Sequence, residues 1–239
     1  MSYLLEIAVF NIQSALLAAH AGADRLELCE NPYDGGTTPS YGFLKTVKEK
    51  ISIPVFPIIR PRGGDFIYSD EEFEVMKEDL LLCKEMGFQG AVLGLLQKDG
   101  SIDAERTKRL VDAAYPLEIT FHRAFDRAKN PLESLEKIVD CGCSRILTSG
   151  QKPNVGDALD LIKKLIEQAG ERIIILPGSG VRSSNLEKIK EAGATEFHSS
   201  ARKEIPSSAA FIVDSMEEIL TNTIVDVDEI KKMKTILQS

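Results

Sequence analysis

No apolar run in the 239 residues is long enough to cross a bilayer or to serve as the core of an export signal. The longest near the start, Leu4 to Phe10, is interrupted by Glu6. The four cysteines, Cys29, Cys83, Cys141 and Cys143, make no CxxC pair, so they read as reduced thiols rather than a disulfide framework. Basic charge is in deficit: 29 Lys and Arg against 37 Asp and Glu leave a formal net charge of −8. That is the wrong sign for long-range attraction to nucleic acid or to an anionic membrane. Linkers and low-complexity segments are missing too. These absences predict a soluble, cytoplasmic protein with neither nucleic acid nor membrane as a partner.

What is present is repetition. Apolar runs of strand length alternate with segments of helical period, which calls for βα units around a parallel sheet. The strand candidates are Leu4–Val9, Arg25–Leu28, Val55–Ile59, Gly90–Leu93, Glu118–Phe121, Arg145–Leu147, Ile173–Leu176 and Glu196–His198. Between them, Ser69 with Glu72, Asn130-Pro131 with Glu133, and Ser184 with Glu187 carry helix-start chemistry. A helix-Gly-strand junction recurs around Gly22, Gly87, Gly142 and Gly193. Eight units in one chain predict an α/β fold, a single (β/α)8 TIM-type barrel domain over residues 1–239. The irregular part is 201–225, before a final helix at about Asp228–Leu237; its length exceeds the usual connection.

In such a barrel chemistry sits where strands end and βα loops begin, and polar residues collect there. Arg60 and Arg62 follow strand three, His122, Arg123 and Asp126 strand five, and Thr148-Ser149-Gly150 strand six. Gly178-Ser179-Gly180 follows strand seven and His198-Ser199-Ser200 strand eight. Strand alternation points Glu6, Glu27, Arg60, His122 and His198 inward together, with Arg123 facing away. One reading is an interior ion-pair lattice in which Glu6 and Glu27 neutralise Arg60. The other is a site, with Glu27 or His122 moving protons and Asp126 orienting His122. In that site Arg60 and Arg62 hold an anion, and the Ser/Gly loops supply amides to it. No lysine falls within a strand or at its immediate end, which disfavours Schiff-base chemistry. Cys29, beside Glu27, is the one cysteine predicted at the mouth and the candidate soft-metal ligand. Cys141-Gly142-Cys143 falls at the opposite end and reads as structural.

Several stretches closely resemble the CutC copper homeostasis family, from about Glu6 to Arg202. They are Arg25 to Cys29, Gly35 to Ser40, Ile59 to Asp70, Thr120 to Asp126, Leu147 to Gly150 and Glu196 to Arg202. The resemblance implies a cytoplasmic (β/α)8 barrel, a homodimer and a link to copper, with Cys29 on the family's proposed Cu(I) ligand. The family commonly carries Glu-Val-Cys-Val-Asp-Ser on strand one, whereas this chain reads Glu6-Ile7-Ala8-Val9-Phe10-Asn11. Ala8 therefore removes the partner thiol and Phe10 the following carboxylate. Two functions stay open: copper homeostasis with Cu(I) at Cys29, or a lyase- or isomerase-type enzyme acting on a small anionic or phosphorylated metabolite.

Overall fold

The computed structural model describes residues 3–217 and 220–238. Eight parallel strands follow the predicted order: β1 (Leu4–Val9), β2 (Arg25–Leu28), β3 (Val55–Pro57), β4 (Gly90–Leu93), β5 (Glu118–Phe121), β6 (Arg145–Thr148), β7 (Ile174–Pro177) and β8 (Glu196–Ser199). The intervening helices are α1 (Ile12–His20), α2 (Tyr41–Lys50), α3 (Asp70–Glu85), α4 (Ala104–Ala114), α5 (Pro131–Asp140), α6 (Leu159–Ala169) and α7 (Leu186–Glu191), and α8 (Val227–Gln238) ends the chain. The strands form two parallel sheets of order β3-β2-β1-β8 and β4-β5-β6-β7. At one edge the halves join through a single bridge, Ile58 to Val92, and the Ile59 amide donates to the Val92 carbonyl at 2.7 Å. Strand β3 ends at Pro57, two residues before the predicted end, and Ile58 continues only as the isolated bridge to Val92. At the other edge β7 and β8 lie alongside each other with no ladder between them among the described residues. The result is an α/β barrel of TIM type with two seams.

Local chemistry accounts for most helix ends. Ser69 and Glu72 form a reciprocal capping box on α3, and Asn130 accepts from the Glu133 amide ahead of Pro131 on α5. Ser184 does not cap α7 as predicted. Asn185 takes the N-cap position, and its side-chain oxygen instead accepts from the Arg182 amide at 2.9 Å. The four recurring junction glycines all have left-handed φ, between +73° and +100°.

Two apolar layers result. The larger lies between strands and helices and contains Cys83, Cys141 and Cys143, so the Cys141-Gly142-Cys143 pair is structural packing. The smaller fills the barrel itself, where Phe56, Ile58, Val92 and Cys29 pack with Phe10. Beneath it runs a buried ion-pair ladder. Arg25 pairs with Glu6 and, at 2.7 Å, with Glu196; Arg145 meets the same Glu196 oxygen at 2.8 Å and also pairs with Glu118. The Phe56 ring centroid lies 4.9 Å from the Arg25 guanidinium and 5.5 Å from that of Arg145. The interior lattice therefore exists, but Arg25 and Arg145 supply its positive charge in place of Arg60.

Segment 201–225 is more ordered than its sequence suggested. Strands β9 (Arg202–Ile205) and β10 (Asn222–Val225) pair antiparallel and form its two ends. Val225 is buried, and the Asn11 side chain donates to the Thr223 carbonyl at 2.8 Å, so the ribbon is anchored over the start of α1. Among the described residues no helix is long and apolar enough to cross a membrane.

Candidate anion-binding cavity

The C-terminal strand ends and their loops enclose a cavity of about 350 Å³. Glu27, His198 and Ser199 line it from the strands, Arg60 and His122 from just past the ends of β3 and β5, and Ser179, Gly180 and Ser200 from the loops after β7 and β8. Ser179 and Gly180 both have left-handed φ, +73° and +77°. A side chain at Gly180 would put its Cβ 2.3 Å from the Asn154 amide nitrogen, so only glycine lets this loop close against its neighbour.

Other candidates go elsewhere. Arg62 turns outward to Glu72 at 2.5 Å and Asp65 at 3.1 Å. Asp126 does not orient His122. Residues 123–127 form a 3₁₀ turn, which aims the carboxylate at the Thr148 hydroxyl (2.6 Å), the Ser149 amide (3.0 Å) and Arg123 (2.8 Å). Ser149 is thereby occupied, and the Gly150 amide donates to the Thr148 hydroxyl at 2.9 Å. The Gly178 amide is likewise spent on the Thr148 carbonyl at 2.8 Å. Cys29 lies behind Glu27, to which its thiol donates at 3.4 Å.

Four arginines at the mouth escaped strand-based reasoning. Arg123 and Arg127 line the cavity from the 3₁₀ turn after β5, Arg182 from the loop after β7 and Arg202 from the start of β9. Arg123 was expected to face away, but strand alternation stops at His122, where the 3₁₀ turn begins. The inner arginines could have been found, since Arg25 and Glu27 are two apart on one strand and share a face.

The ionisable groups fall into two sets. Burial pushes the Glu6 carboxyl up, but Arg25 and then His198 outweigh this and hold it at about 2. His198 Nδ1 sits 2.7 Å from Glu6, and its Nε2 lies 3.8 Å from Glu27. Burial drives His198 down, yet the Glu27 and Glu6 charges prevail and raise it above its ordinary value. Glu27 is itself raised by burial, although His198 opposes the shift. Burial and the Glu27 charge together push the Cys29 thiol well up, keeping it protonated.

His122 behaves oppositely. Burial and the nearby Arg60 charge lower it to about 3, so it is neutral at physiological pH and cannot titrate near neutrality as a general acid or base. Its Nδ1 accepts from the Ala124 amide at 3.2 Å, which assigns the proton to Nε2. That Nε2 is buried without a partner among the described residues. Gly94 makes room for the ring, since a Cβ there would lie 2.5 Å from Nδ1.

The raised His198 fixes a sign. Its contribution to stability is complete below the ordinary value of 6.5 and is lost as pH rises through its folded value. The Tm of the parent is expected to fall on the alkaline side of pH 6.5, and His198→Gln is expected to flatten that limb. A parent Tm constant from pH 6 to 9 would contradict the pairing.

A parallel α/β barrel with a cationic cavity at its C-terminal strand ends is the architecture of a small-molecule site. The sequence model of the CutC family matches residues 3–203, and the chain belongs to that family. It is 50% identical over 204 residues to the family protein CutC of Salmonella paratyphi A, covering 85% of this chain and 82% of that one. The CutC structure from Streptococcus agalactiae superposes with a TM-score of 0.77 at 36% identity, covering 83% of this chain and 98% of that one. A phosphoribosylanthranilate isomerase from Thermotoga maritima aligns over 100% of both chains with a TM-score of 0.59; at 12% identity it shares the fold alone.

Proposed function

We propose that this CutC family member binds a small anionic metabolite at the barrel mouth. One observation carries the reading: in a chain of net charge −8, five arginines (60, 123, 127, 182 and 202) converge on one cavity whose lining, among the described residues, contains two carboxylates, Glu27 and Asp34. Arg60 is clamped there, donating to the Gly36 carbonyl at 2.8 Å and the Gly64 carbonyl at 2.9 Å, so its charge is held in place before any ligand arrives. The Arg127 side chain makes no hydrogen bond or ion pair with a described residue and is free to meet an anion. The volume suits a small metabolite.

The Streptococcus agalactiae relative is called a copper homeostasis protein, so copper is the metal that the donor set here would have to hold. It does not fit. Cys29 is a lone, buried, protonated thiol, Ala8 stands where a second thiol would be needed, and the other three cysteines pack outside the barrel. Among the described residues no cluster of three or more His, Cys, Asp and Glu side chains is placed to hold a metal ion.

Inorganic phosphate is the simplest probe. At about a hundredfold excess over Kd it is expected to raise Tm by about 5–10 °C. The Arg127→Ala, Arg182→Ala double variant should keep the parent's Tm without phosphate and lose most of that rise. No phosphate-dependent rise in the parent, or an equal rise in the double variant, overturns the proposal.

A further inference from the structure

We infer that the cavity abstracts a proton next to the carbonyl of its bound anion, with Glu27 as the base and His122 Nε2–H, beside Arg60, holding the carbonyl oxygen. The inference rests on the anion-binding reading and adds a reaction to it. Two donors carry it. His122 Nε2 and Arg60 Nε are both buried and both lack a partner among the described residues. A buried donor left unmet is costly; the Tyr68 hydroxyl lies near enough to Arg60 to interact with it, whereas His122 Nε2 calls for an acceptor that the described residues do not provide. Both residues line the same cavity, and both touch one ring: Phe66 lies 4.8 Å from the Arg60 guanidinium and 4.9 Å from the His122 ring. Donors fixed by packing in the wall of a cavity are what a developing oxyanion requires. A neutral imidazole suits the task because it donates without first surrendering a proton of its own.

The base is identified by elimination among the lining carboxylates. Asp34 is exposed, whereas Glu27 is buried at the cavity wall. Glu27 also has no guanidinium partner; its neighbours are the Cys29 thiol and His198 Nε2. His198 is a positioning residue, tethered through Nδ1 to Glu6. In the step, the C–H bond next to the carbonyl breaks and Glu27 takes the proton. The electron pair moves onto the carbonyl oxygen, which His122 and Arg60 stabilise as an enolate. Return of the proton to the same carbon is simple exchange; return to the former carbonyl carbon, as the hydroxyl proton of the carbon that lost it passes to the enolate oxygen, completes an isomerisation with no oxidant, metal or co-reactant. The substrate class is a small carbonyl compound bearing a phosphate or carboxylate.

The experiment incubates the full chain in D₂O with two sets of compounds, phosphorylated aldoses and ketoses in one arm and 2-oxo carboxylates in the other. Loss of the C–H proton signal is followed by NMR. Exchange is expected in one arm and identifies the anion; Glu27→Gln should slow it about 10²–10⁴-fold while retaining the phosphate-dependent rise in Tm. If Glu27→Gln does not fold, Glu27→Asp keeps the charge, withdraws it by one methylene and should slow exchange as well. His122→Phe, which keeps a planar ring, should slow exchange about 10²–10³-fold. With only three histidines in the chain, ¹⁵N NMR also reads His122 directly, and a neutral Nε2–H tautomer is expected from pH 5 to 9. Phosphate binding without exchange in either arm overturns the inference and leaves the anion site standing. A His122 that titrates near 6.5, or holds its proton on Nδ1, overturns it without reference to any substrate.

Discussion

Arg25→Ala is expected to cost about 3–5 kcal/mol of stability, because it takes a shared guanidinium away from two buried carboxylates in the barrel interior. Arg25 bridges Glu6 and Glu196 and covers one face of Phe56. Without it Glu196 keeps Arg145, but Glu6 keeps only His198, and its carboxyl loses its largest favourable neighbour. Arg25→Lys is expected to recover part of the loss, since a single ammonium cannot reproduce two guanidinium contacts aimed at different strands. Urea unfolding monitored by circular dichroism gives the values. A loss below about 1 kcal/mol for the alanine variant would mean that the ladder contributes little to holding the strands together.

Gly90→Ala is expected to destabilise by about 1–3 kcal/mol, although alanine is the smallest possible addition. The new Cβ would lie 2.5 Å from two atoms of the Phe56 ring and 2.6 Å from the Glu118 carbonyl oxygen. The ring cannot withdraw freely, because Arg25 and Arg145 both pack against it, and the carbonyl belongs to the neighbouring strand. Adding Phe56→Leu, which removes the clashing ring atoms, should recover part of the loss in a double-mutant cycle. Strict additivity of the two changes would show that the clash lies with the backbone alone.

The barrel was legible because its signals are local. Each strand is a short apolar run and each junction glycine repeats, so eight units could be counted without any knowledge of how they meet. The inward set Glu6, Glu27, Arg60, His122 and His198 followed from alternation alone, and all five are buried. Their partners were not legible. Arg60 and Glu6 differ in no local respect that reveals which cation neutralises which acid, and Arg25, two residues before Glu27, was passed over. Loop side chains were harder still. Asp126 and Arg123 depended on a 3₁₀ turn that breaks strand periodicity. Arg182 and Arg202 reach the cavity only because the segments after β7 and β8 fold back over it. Segment 201–225 was unreadable because the pairing of β9 with β10 spans a long loop with no turn signal of its own.

The two seams divide the labour at the mouth. Glu27 and His198 stand on the sheet made of β1, β2, β3 and β8, whereas His122 stands on the sheet made of β4 to β7. Continuous hydrogen bonding fixes distances within each sheet, whereas among the described residues one bridge at one seam and side-chain contacts, the Arg145 to Glu196 ion pair among them, fix the distance from one sheet to the other. The gap between proton acceptor and oxygen donor is thus the softest dimension of an otherwise stiff frame. A ligand that engages both sides acts as a tie rod: it supplies the cross-link the backbone leaves out, and slower amide exchange at Ile59 would register that tightening.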